Sequence, residues 1–139
     1  MNTNKTRQQQ GKASRRKGAS GERELINLLR SRWPDLPLRR DLRQYQQSGL
    51  TDVVGLDGYV IEVKRRRSLG QADVERWWQP LVRNADGQEP VLAYRQDRQD
   101  WRFRLLGNGN FWIETDFEGF CRTLNMETIK GDTHGKAGE

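Results

Sequence analysis

The sequence predicts a single α/β domain, because one chain of 139 residues alternates helical patterns with strand patterns. Apolar residues recur at helical spacing over residues 25–33, whereas residues 59–64 form the short apolar run of a buried strand. Asp57-Gly58 and Asp86-Gly87 are turn signals that separate such segments. We therefore expect one hydrophobic core, with polar segments at both chain ends.

The N-terminal segment carries the net charge of the chain. Residues 1–17 contain six basic residues and no acidic one, which equals the formal net charge of +6 for the whole sequence. They contain no periodic apolar residues, so we expect a disordered basic arm. A basic arm on a neutral body suggests a polyanionic partner, with nucleic acid as the first candidate. The alternative is a solvated tail that only increases solubility.

The first predicted helix begins near Ser20 and ends ahead of Pro34. Counting back three and four positions from its apolar stripe reaches Glu22, so this acid is predicted on the buried face. Glu22 has two interpretations: an acid that complements the helix dipole, or a carboxylate that reaches over the sheet towards a cation site. The apolar stripe consists of Leu25, Ile26, Leu29 and Trp33.

Two strands are predicted over residues 50–55 and 59–64. The length of the loop between them decides which residues face each other. A two-residue turn would place Asp52 on the wrong face for Glu62, whereas a three-residue loop with a left-handed Gly58 places the two acids opposite each other. We predict the three-residue loop, because only this register gathers the acids.

The acids of these strands, together with a lysine, suggest a site for a hard cation. Period-2 alternation places Glu62 and Lys64 on the same face of one strand, and Asp52 lies on the neighbouring strand. Oxygen ligands of this kind suit Mg²⁺ or Mn²⁺ rather than zinc or copper. A positive charge beside such a cation suits attack on a phosphodiester. The alternative is a buried ion-pair cluster without metal, which at best is often neutral for stability.

Three consecutive arginines, Arg65, Arg66 and Arg67, follow directly after this strand. Considered without their neighbours, these arginines would be solvent-exposed residues at the end of a strand. Beside a phosphodiester site we interpret them as groups that bind phosphate.

The remaining chain continues the alternation of helices and strands. Residues 37–47 form a weak strand or an extended segment, and two further strands are predicted at residues 90–94 and 101–106. A second helix over residues 71–84 contains Pro80, which is expected to kink or shorten it.

Two further local patterns lie in the second and the last predicted helices. Trp77 and Trp78 are adjacent in the second helix and must diverge, so one of them is expected to be half-buried by local structure or to lie in a dimer interface. Thr115 and Glu118 form a capping-box pattern ahead of a last helix, in which Cys121 is expected to be a small buried apolar residue.

The scarcity of cysteine and histidine excludes several classes of site. Cys121 is the only cysteine and His134 the only histidine, so an intramolecular disulfide, a structural zinc site, a Ser-His-Asp triad and a Cys-His dyad are not expected. No apolar run has the length of a membrane span or of a signal peptide. We therefore expect a soluble, intracellular protein.

An ordered set of motifs resembles the PD-(D/E)xK nuclease superfamily, and most closely the archaeal Holliday-junction resolvases and their phage-type relatives. The resemblance covers roughly residues 15–106, and the match in order is more specific than a lone Glu-x-Lys. The matching segments are Arg16-Lys17-Gly18-Ala19, Glu22-Arg23-Glu24-Leu25-Ile26, Ser48-Gly49, Thr51-Asp52-Val53-Val54, Ile61-Glu62-Val63-Lys64, Pro90-Val91-Leu92-Ala93 and Trp101-Arg102-Phe103.

The resemblance implies a role for each position of the candidate site. Asp52 and Glu62 would be metal ligands, and the Val63 carbonyl could complete the shell. Lys64 would orient the attacking water or help to deprotonate it. Glu22 would complete the catalytic set, through water or directly. The residues expected to contact DNA are Arg15, Arg16, Lys17, Arg23, Ser48, Arg65, Arg66 and Arg67.

The resemblance also implies the architecture and the biology. The expected fold is a restriction-endonuclease-like core, a central mixed β-sheet flanked by α-helices. Residues 18–124 would form the nuclease domain, between the disordered arm at residues 1–17 and a flexible tail at residues 125–139. Members of the family act as homodimers on four-way junctions in DNA recombination and repair. The implied location is the cytoplasm of a prokaryotic cell, which includes the case of a phage-encoded protein in an infected cell.

The sequence thus predicts a Mg²⁺-dependent endonuclease that cleaves branched DNA, with Mn²⁺ as a substitute cation. Thr51 stands where the superfamily name has proline, a change that many members tolerate. The Arg/Gln-rich approach, the helix at Pro80 and the extra C-terminal helix are not obvious parts of the resolvase pattern, and they bear on dimer geometry and junction preference more than on the chemistry. The alternatives are a nuclease for nicked, single-stranded or ordinary duplex DNA, and a DNA-binding protein without turnover.

Overall fold

The chain forms a mixed β-sheet with helices on both faces. The structure, a computed structural model, describes the backbone of residues 7–41, 51–107 and 111–124, and the side chains from residue 19 onwards within these ranges. Its helices are α1 (Arg7–Arg32), α2 (Gln71–Arg83) and α3 (residues 117–124). The strands are β1 (Arg39–Arg40), β2 (Val53–Val54), β3 (Tyr59–Arg66), β4 (Glu89–Gln96), β5 (Arg102–Leu106) and β6 (Trp112–Thr115).

The sheet has the strand order β1-β2-β3-β4-β5-β6 within the described residues. Only β3 and β4 pair in parallel, with α2 as the crossover between them, and the other neighbours are antiparallel. A parallel pair needs such a crossover, because a tight turn cannot return the chain to the same end of the sheet. The predicted α/β class and the mixed sheet flanked by helices are confirmed.

Helix α1 begins much earlier than the sequence pattern predicts. It starts at Arg7 instead of Ser20, so the prediction of a disordered arm is wrong for residues 7–17, and residues 1–6 lie outside the described part. This segment is rich in Gln, Arg and Lys, which favour helices without forming an apolar stripe. A search for apolar periodicity therefore misses it. The helix ends at Arg32, ahead of Pro34, as predicted.

The two faces of β3 pack against different helices. Ile61 and Val63 point towards α1, where they join Leu25 and Leu29 in the larger core cluster. Val60 points to the opposite face and packs with the buried residues of α2, which are Val74, Trp78 and Leu81. This alternation also directs Glu62 and Lys64 towards the α2 face. The site residues of β3 are thereby placed on a strand whose two faces are both packed.

Helix α2 continues through Pro80. The helix runs from Gln71 to Arg83, and the Asn84 N–H donates to the Pro80 carbonyl at 3.0 Å, so the proline does not shorten it as predicted. Its N-terminus is fixed by Asp73, whose Oδ2 accepts a hydrogen bond from the Gly70 N–H at 2.8 Å. Packing of the apolar face offsets the single hydrogen bond that Pro80 cannot donate.

The C-terminal part of the fold differs in detail from the prediction. The apolar segment after Gly107 is a sixth strand, β6, which pairs with β5. The cap of α3 is Asp116 rather than Thr115, because Asp116 Oδ1 accepts the Gly119 N–H at 2.9 Å. Both residue types are good helix caps, so the sequence alone could not choose between them. Cys121 is fully buried, as predicted.

Arg104 is a further feature that the sequence analysis missed. Its side chain is fully buried and forms ion pairs with Glu75 at 2.7 Å and Glu114 at 2.6 Å. The guanidinium also lies 3.7 Å from the centroid of the Trp112 ring. The period-2 pattern of β5 predicts its facing direction but not the acids that come from α2 and β6.

No helix within the described part of the chain is long and apolar enough to cross a membrane.

Candidate active site

The register of the β2–β3 hairpin places Asp52 opposite Glu62. Val53 pairs with Ile61, so the residues that precede Val53 and follow Ile61 face each other. The Asp52 N–H donates to the Ile61 carbonyl at 2.8 Å and holds this register one residue beyond the strand. Gly58 has a φ of 86°, the left-handed conformation that the three-residue loop requires. The predicted register is confirmed.

Thr51 fixes the backbone that leads into Asp52. Its hydroxyl accepts a hydrogen bond from the Ile61 N–H at 2.8 Å and lies 2.7 Å from the carbonyl oxygen of Val53. A side chain therefore replaces a missing backbone partner at the end of β2. Proline at this position could not form these bonds, so the threonine holds the hairpin by a different means.

The Asp52 carboxylate lies against the backbone of β3. Its Oδ2 accepts a hydrogen bond from the Val63 N–H at 2.7 Å. In an extended strand the N–H and C=O of one residue point to the same neighbour, so the Val63 carbonyl is on the Asp52 side of β3. The Asp52 carboxylate and the Val63 carbonyl, which were predicted to share one cation site, therefore both lie at the edge of β3 that faces β2.

The pKa of Asp52 is raised from 3.8 to about 7, chiefly by burial and also by the charges of Glu62 and Glu22, against the opposing effects of the Val63 N–H and of Lys64. These charges act on Asp52 only because the side chains are close in space. The structure thus brings all four predicted catalytic residues into one neighbourhood. A carboxyl group with such a pKa is a frequent property of functional sites.

Two of these residues already have partners. Lys64 Nζ lies 3.3 Å from Glu62 Oε1, and both side chains are partly exposed. Glu22 is only 5% exposed, and its Oε2 accepts a hydrogen bond from Arg40 Nε at 2.9 Å. The buried face predicted for Glu22 is confirmed. Its arginine partner was not foreseen, because the sequence does not show that β1 returns beside α1.

The donor set fits a hard divalent cation at Asp52 and Glu62. Two opposed carboxylates and a backbone carbonyl are the oxygen ligands that Mg²⁺ and Mn²⁺ prefer. Burial first, and then the charges of Glu62 and Glu22, raise the pKa of Asp52, and a bound cation would favour its ionised form. No group of three or more His, Cys, Asp or Glu side chains is arranged to hold a metal within the described residues. Glu22 is bound to Arg40, so an indirect contact suits it better than direct ligation.

Comparison with known proteins supports the same chemistry. Residues 13–133 match the protein family described as "Phage putative PDDEXK endonuclease", and this range is most of the chain. The chain belongs to this family. It is therefore a nuclease of the PD-(D/E)xK superfamily. No curated protein sequence matches the chain.

Among solved structures, this PDDEXK endonuclease is similar to Hjc, a Holliday junction resolvase from the archaeal hyperthermophile Archaeoglobus fulgidus. The two are 26% identical, and the match covers 70% of this chain and 85% of the resolvase. The TM-score is 0.42, which is too low to carry an argument about function.

A basic groove runs beside the carboxylates of this PDDEXK endonuclease. Arg23, Arg30 and Arg39 are exposed, and the groove has a volume of about 450 Å³. Arg23 was predicted from the sequence, whereas the other arginines were not. The spacing of seven residues between Arg23 and Arg30 was an available signal, because it places both on one side of a helix. The lining residues are Arg23, Ile26, Asn27, Arg30, Arg39 and Arg40.

The three arginines after Lys64 have different surroundings. Arg65 is bound from three sides: its Nη1 lies 3.1 Å from Ser20 Oγ and 3.2 Å from Glu24 Oε2, and its Nε lies 3.1 Å from Asp97 Oδ1. It thereby fastens α1 to the sheet, and the phosphate contact of Arg65 stays a prediction.

The other predicted DNA contacts are only partly described. Arg66 lies beside Trp77, on the face opposite to Arg65, and Arg67 is exposed. Ser48 lies outside the described residues. Arg15, Arg16 and Lys17 belong to α1, but their side chains lie outside the described part.

Glu24 is the acid of α1 that holds the helix in place. Its Oε1 accepts a hydrogen bond from Trp101 Nε1 at 3.0 Å, and its Oε2 accepts one from Arg95 Nη2 at 3.2 Å. Together with Arg65, these contacts fix the rotation of α1 about its axis. Glu22, two residues earlier, is thereby held towards Asp52. The sequence offered no signal for this role, because every partner of Glu24 is distant along the chain.

Proposed function

We propose that this endonuclease hydrolyses phosphodiester bonds in branched DNA, and that Asp52 and Glu62 hold a Mg²⁺ ion for which Mn²⁺ can substitute. One observation carries the proposal. Asp52 is opposite Glu62 and accepts the Val63 N–H, and burial and two neighbouring carboxylates raise its pKa to about 7, so two carboxylates and a carbonyl meet where ionisation is costly without a cation. This combination is costly for folding alone and useful for binding a cation.

Each residue of the site has a role that its position allows. A bound cation supplies charge neutralisation and lowers the pKa of water. Lys64 is the group that orients the attacking water or takes part in its deprotonation, because its ammonium is beside Glu62. Glu22 adds negative charge next to Asp52 and is held by Arg40. The Val63 backbone binds Asp52 by its N–H and offers its carbonyl to the same side.

The basic groove is the proposed path of one DNA strand. Four arginines line it, and Arg40 at its inner end is bound to Glu22 of the site. Within the described residues, Arg23 and Arg39 take part in no ion pair, so their charges are available to phosphates. Arg66 and Arg67 approach the site from the end of β3 and are proposed as further contacts. Arg15, Arg16, Lys17 and Ser48 remain proposed contacts on the resemblance.

The preference for four-way junctions, a homodimer with two active sites, and a role in recombination and repair are proposed on the resemblance of the motifs to phage-type resolvases. A dimer would place two sites on two strands of a junction, which is the arrangement that paired nicks require. A cytoplasmic location in a phage-infected prokaryotic cell agrees with this substrate.

The test is cleavage of a labelled four-way junction beside its separate linear arms, in Mg²⁺, in Ca²⁺ and in EDTA. Glu62→Ala serves as the control for the site. We expect paired symmetric nicks in the junction that disappear in EDTA and with the variant. Equal cutting of linear DNA would retain the nuclease site and reject the junction preference. Binding without cutting in both Mg²⁺ and Mn²⁺ would overturn the proposed chemistry.

A further inference from the structure

Trp77 lies at the meeting point of three cationic side chains. The centroid of its indole ring is 5.7 Å from Lys64 Nζ, 5.4 Å from Arg66 Cζ and 5.9 Å from Arg76 Cζ. All three distances are within the range at which a cation is attracted to an aromatic face. The ring is half-buried, so the attraction is less weakened by water than at an exposed site. None of the roles described above uses this residue.

The packing of α2 explains why Trp77 reaches Lys64. Trp78 is 3% exposed and fills the core between α2 and the sheet. Adjacent helical residues diverge by about 100°, so Trp77 is directed to one side of this core. Lys64 and Arg66 emerge at that side, because alternation along β3 points both towards α2. The tryptophan therefore covers the part of β3 that carries the candidate catalytic lysine.

The ammonium of Lys64 consequently has two partners in different directions. Glu62 Oε1 is 3.3 Å from Nζ on one side, and the Trp77 ring is on another. A lysine side chain has four rotatable bonds, so a single carboxylate partner would leave the ammonium free to follow that carboxylate. The aromatic face adds a contact that does not depend on how Glu62 is oriented.

We propose that Trp77 is a positioning residue, which holds the Lys64 ammonium at the reacting phosphodiester through the face of its ring. This inference rests on the proposed function, in which Lys64 acts on the attacking water. A purely structural role would be filled by any apolar side chain of similar size. The proposed role requires an aromatic face, and it acts only through Lys64.

The test compares Trp77→Leu, which keeps apolar bulk without an aromatic face, with Trp77→Phe, which keeps a face. Single-turnover cleavage at saturating DNA should slow about tenfold in Trp77→Leu and much less in Trp77→Phe. DNA affinity measured in Ca²⁺ should change little. Trp112→Leu is the matched control, because Trp112 also stacks on an arginine but lies on β6, three strands away from β3. This control should cleave at the wild-type rate.

A double-mutant cycle separates positioning from packing. In a Lys64→Ala background, Trp77→Leu should produce no further loss of rate, because the group that it positions is absent. An equal loss in both backgrounds would overturn the proposal, and so would equal rates for Trp77→Leu and Trp77→Phe. Arg76→Gln tests another cation at the ring, one that has no role in the proposed site. It should leave the rate at saturation unchanged, and a loss of rate as large as that of Trp77→Leu would contradict the assignment to Lys64.

One measurement is independent of cleavage. The ε-methylene NMR signal of Lys64, one of six lysines, can be assigned by its loss in Lys64→Ala. The aromatic ring should shift this signal upfield of the other lysines, and Trp77→Leu should return it to their position. If the shift is present while the wild type cuts no DNA, the proposed function fails and the contact stands. If the shift is absent in an active enzyme, the positioning role of Trp77 is wrong and the proposed function still stands.

Discussion

The Asp52 carboxylate accepts the Val63 N–H at 2.7 Å, while burial and two neighbouring carboxylates raise its pKa to about 7. The hydrogen bond favours the ionised form, and burial and like charge favour the protonated form. In the absence of a cation, burial and like charge together outweigh the hydrogen bond. The site therefore reduces the stability of the fold at neutral pH, and this cost can be measured.

The first prediction concerns Asp52→Asn. The pKa of Asp52 is raised on folding, so its protonated form stabilises the fold below pH 4, and this contribution is lost as the pH rises through 7. Asparagine is neutral and can still accept the Val63 N–H. At pH 8 in EDTA, we expect Asp52→Asn to increase the free energy of unfolding by on the order of 1–3 kcal/mol. In Mg²⁺, the same variant should not cleave DNA.

Chemical denaturation between pH 4 and pH 8 provides the measurement. The gain from Asp52→Asn should shrink towards zero near pH 4, where the wild-type carboxyl is protonated. Asp57→Asn is the matched control, since Asp57 is an exposed acid in the same hairpin. A gain that is equal at both pH values, or that Asp57→Asn reproduces, would contradict the electrostatic origin.

The second prediction concerns cation binding. A ligand that binds only the folded protein raises the melting temperature. Mn²⁺ or Mg²⁺ at millimolar concentration should therefore raise the Tm of the wild type and leave that of Asp52→Asn or Glu62→Gln unchanged. Glu89→Gln, which alters an exposed acid on β4, should retain the shift. Equal shifts in all variants would indicate that the cations bind elsewhere.

The third prediction concerns the basic groove. Replacing Arg23 and Arg39 together by glutamine removes two candidate phosphate contacts of the groove, one from α1 and one from β1. We expect weaker binding to all DNA substrates and a slope of log affinity against log salt that is smaller by about 1.5. Fluorescence anisotropy in Ca²⁺ measures both quantities. The charge-matched control replaces Arg83 and Arg122 together by glutamine, since both are exposed and neither lines the groove. A similar loss of affinity in this control would show that net charge causes the effect.

The fourth prediction uses two glycines of the β2–β3 hairpin. Gly55 and Gly58 both have positive φ, but only a methyl group at Gly55 would collide with another segment, at the Pro37 carbonyl. Gly58→Ala should cost about 1 kcal/mol through backbone strain alone. Gly55→Ala should cost at least about 3 kcal/mol, because the segment before β1 must move. Urea unfolding measures the difference, and equal costs would show that the close approach is absent in solution.

The sequence was sufficient for the catalytic hairpin because every determinant there is local. Alternation in β3, a glycine in the loop and the ten-residue separation of Asp52 from Glu62 define the register without reference to the remaining fold. The buried face of Glu22 was predictable for the same reason, since it follows from helical spacing within a few residues.

The contacts that the sequence did not reveal involve residues whose partners are distant along the chain. The partners of Arg65, which are Ser20, Glu24 and Asp97, come from two other segments. Arg40 and Glu22 are likewise joined only by the fold. The early start of α1 was missed for a different reason, because helix-forming residues without an apolar stripe resemble a disordered tail in composition.

The three-residue loop at residues 56–58 also restricts how this gene can vary. Because side chains alternate between the two faces of a strand, inserting or deleting one codon here would move Asp52 to the face opposite Glu62, even if every residue of the site were retained. Substitutions that respect the left-handed Gly58 would be tolerated far better than a change of length. Related chains should therefore differ freely in the composition of this loop and rarely in its number of residues.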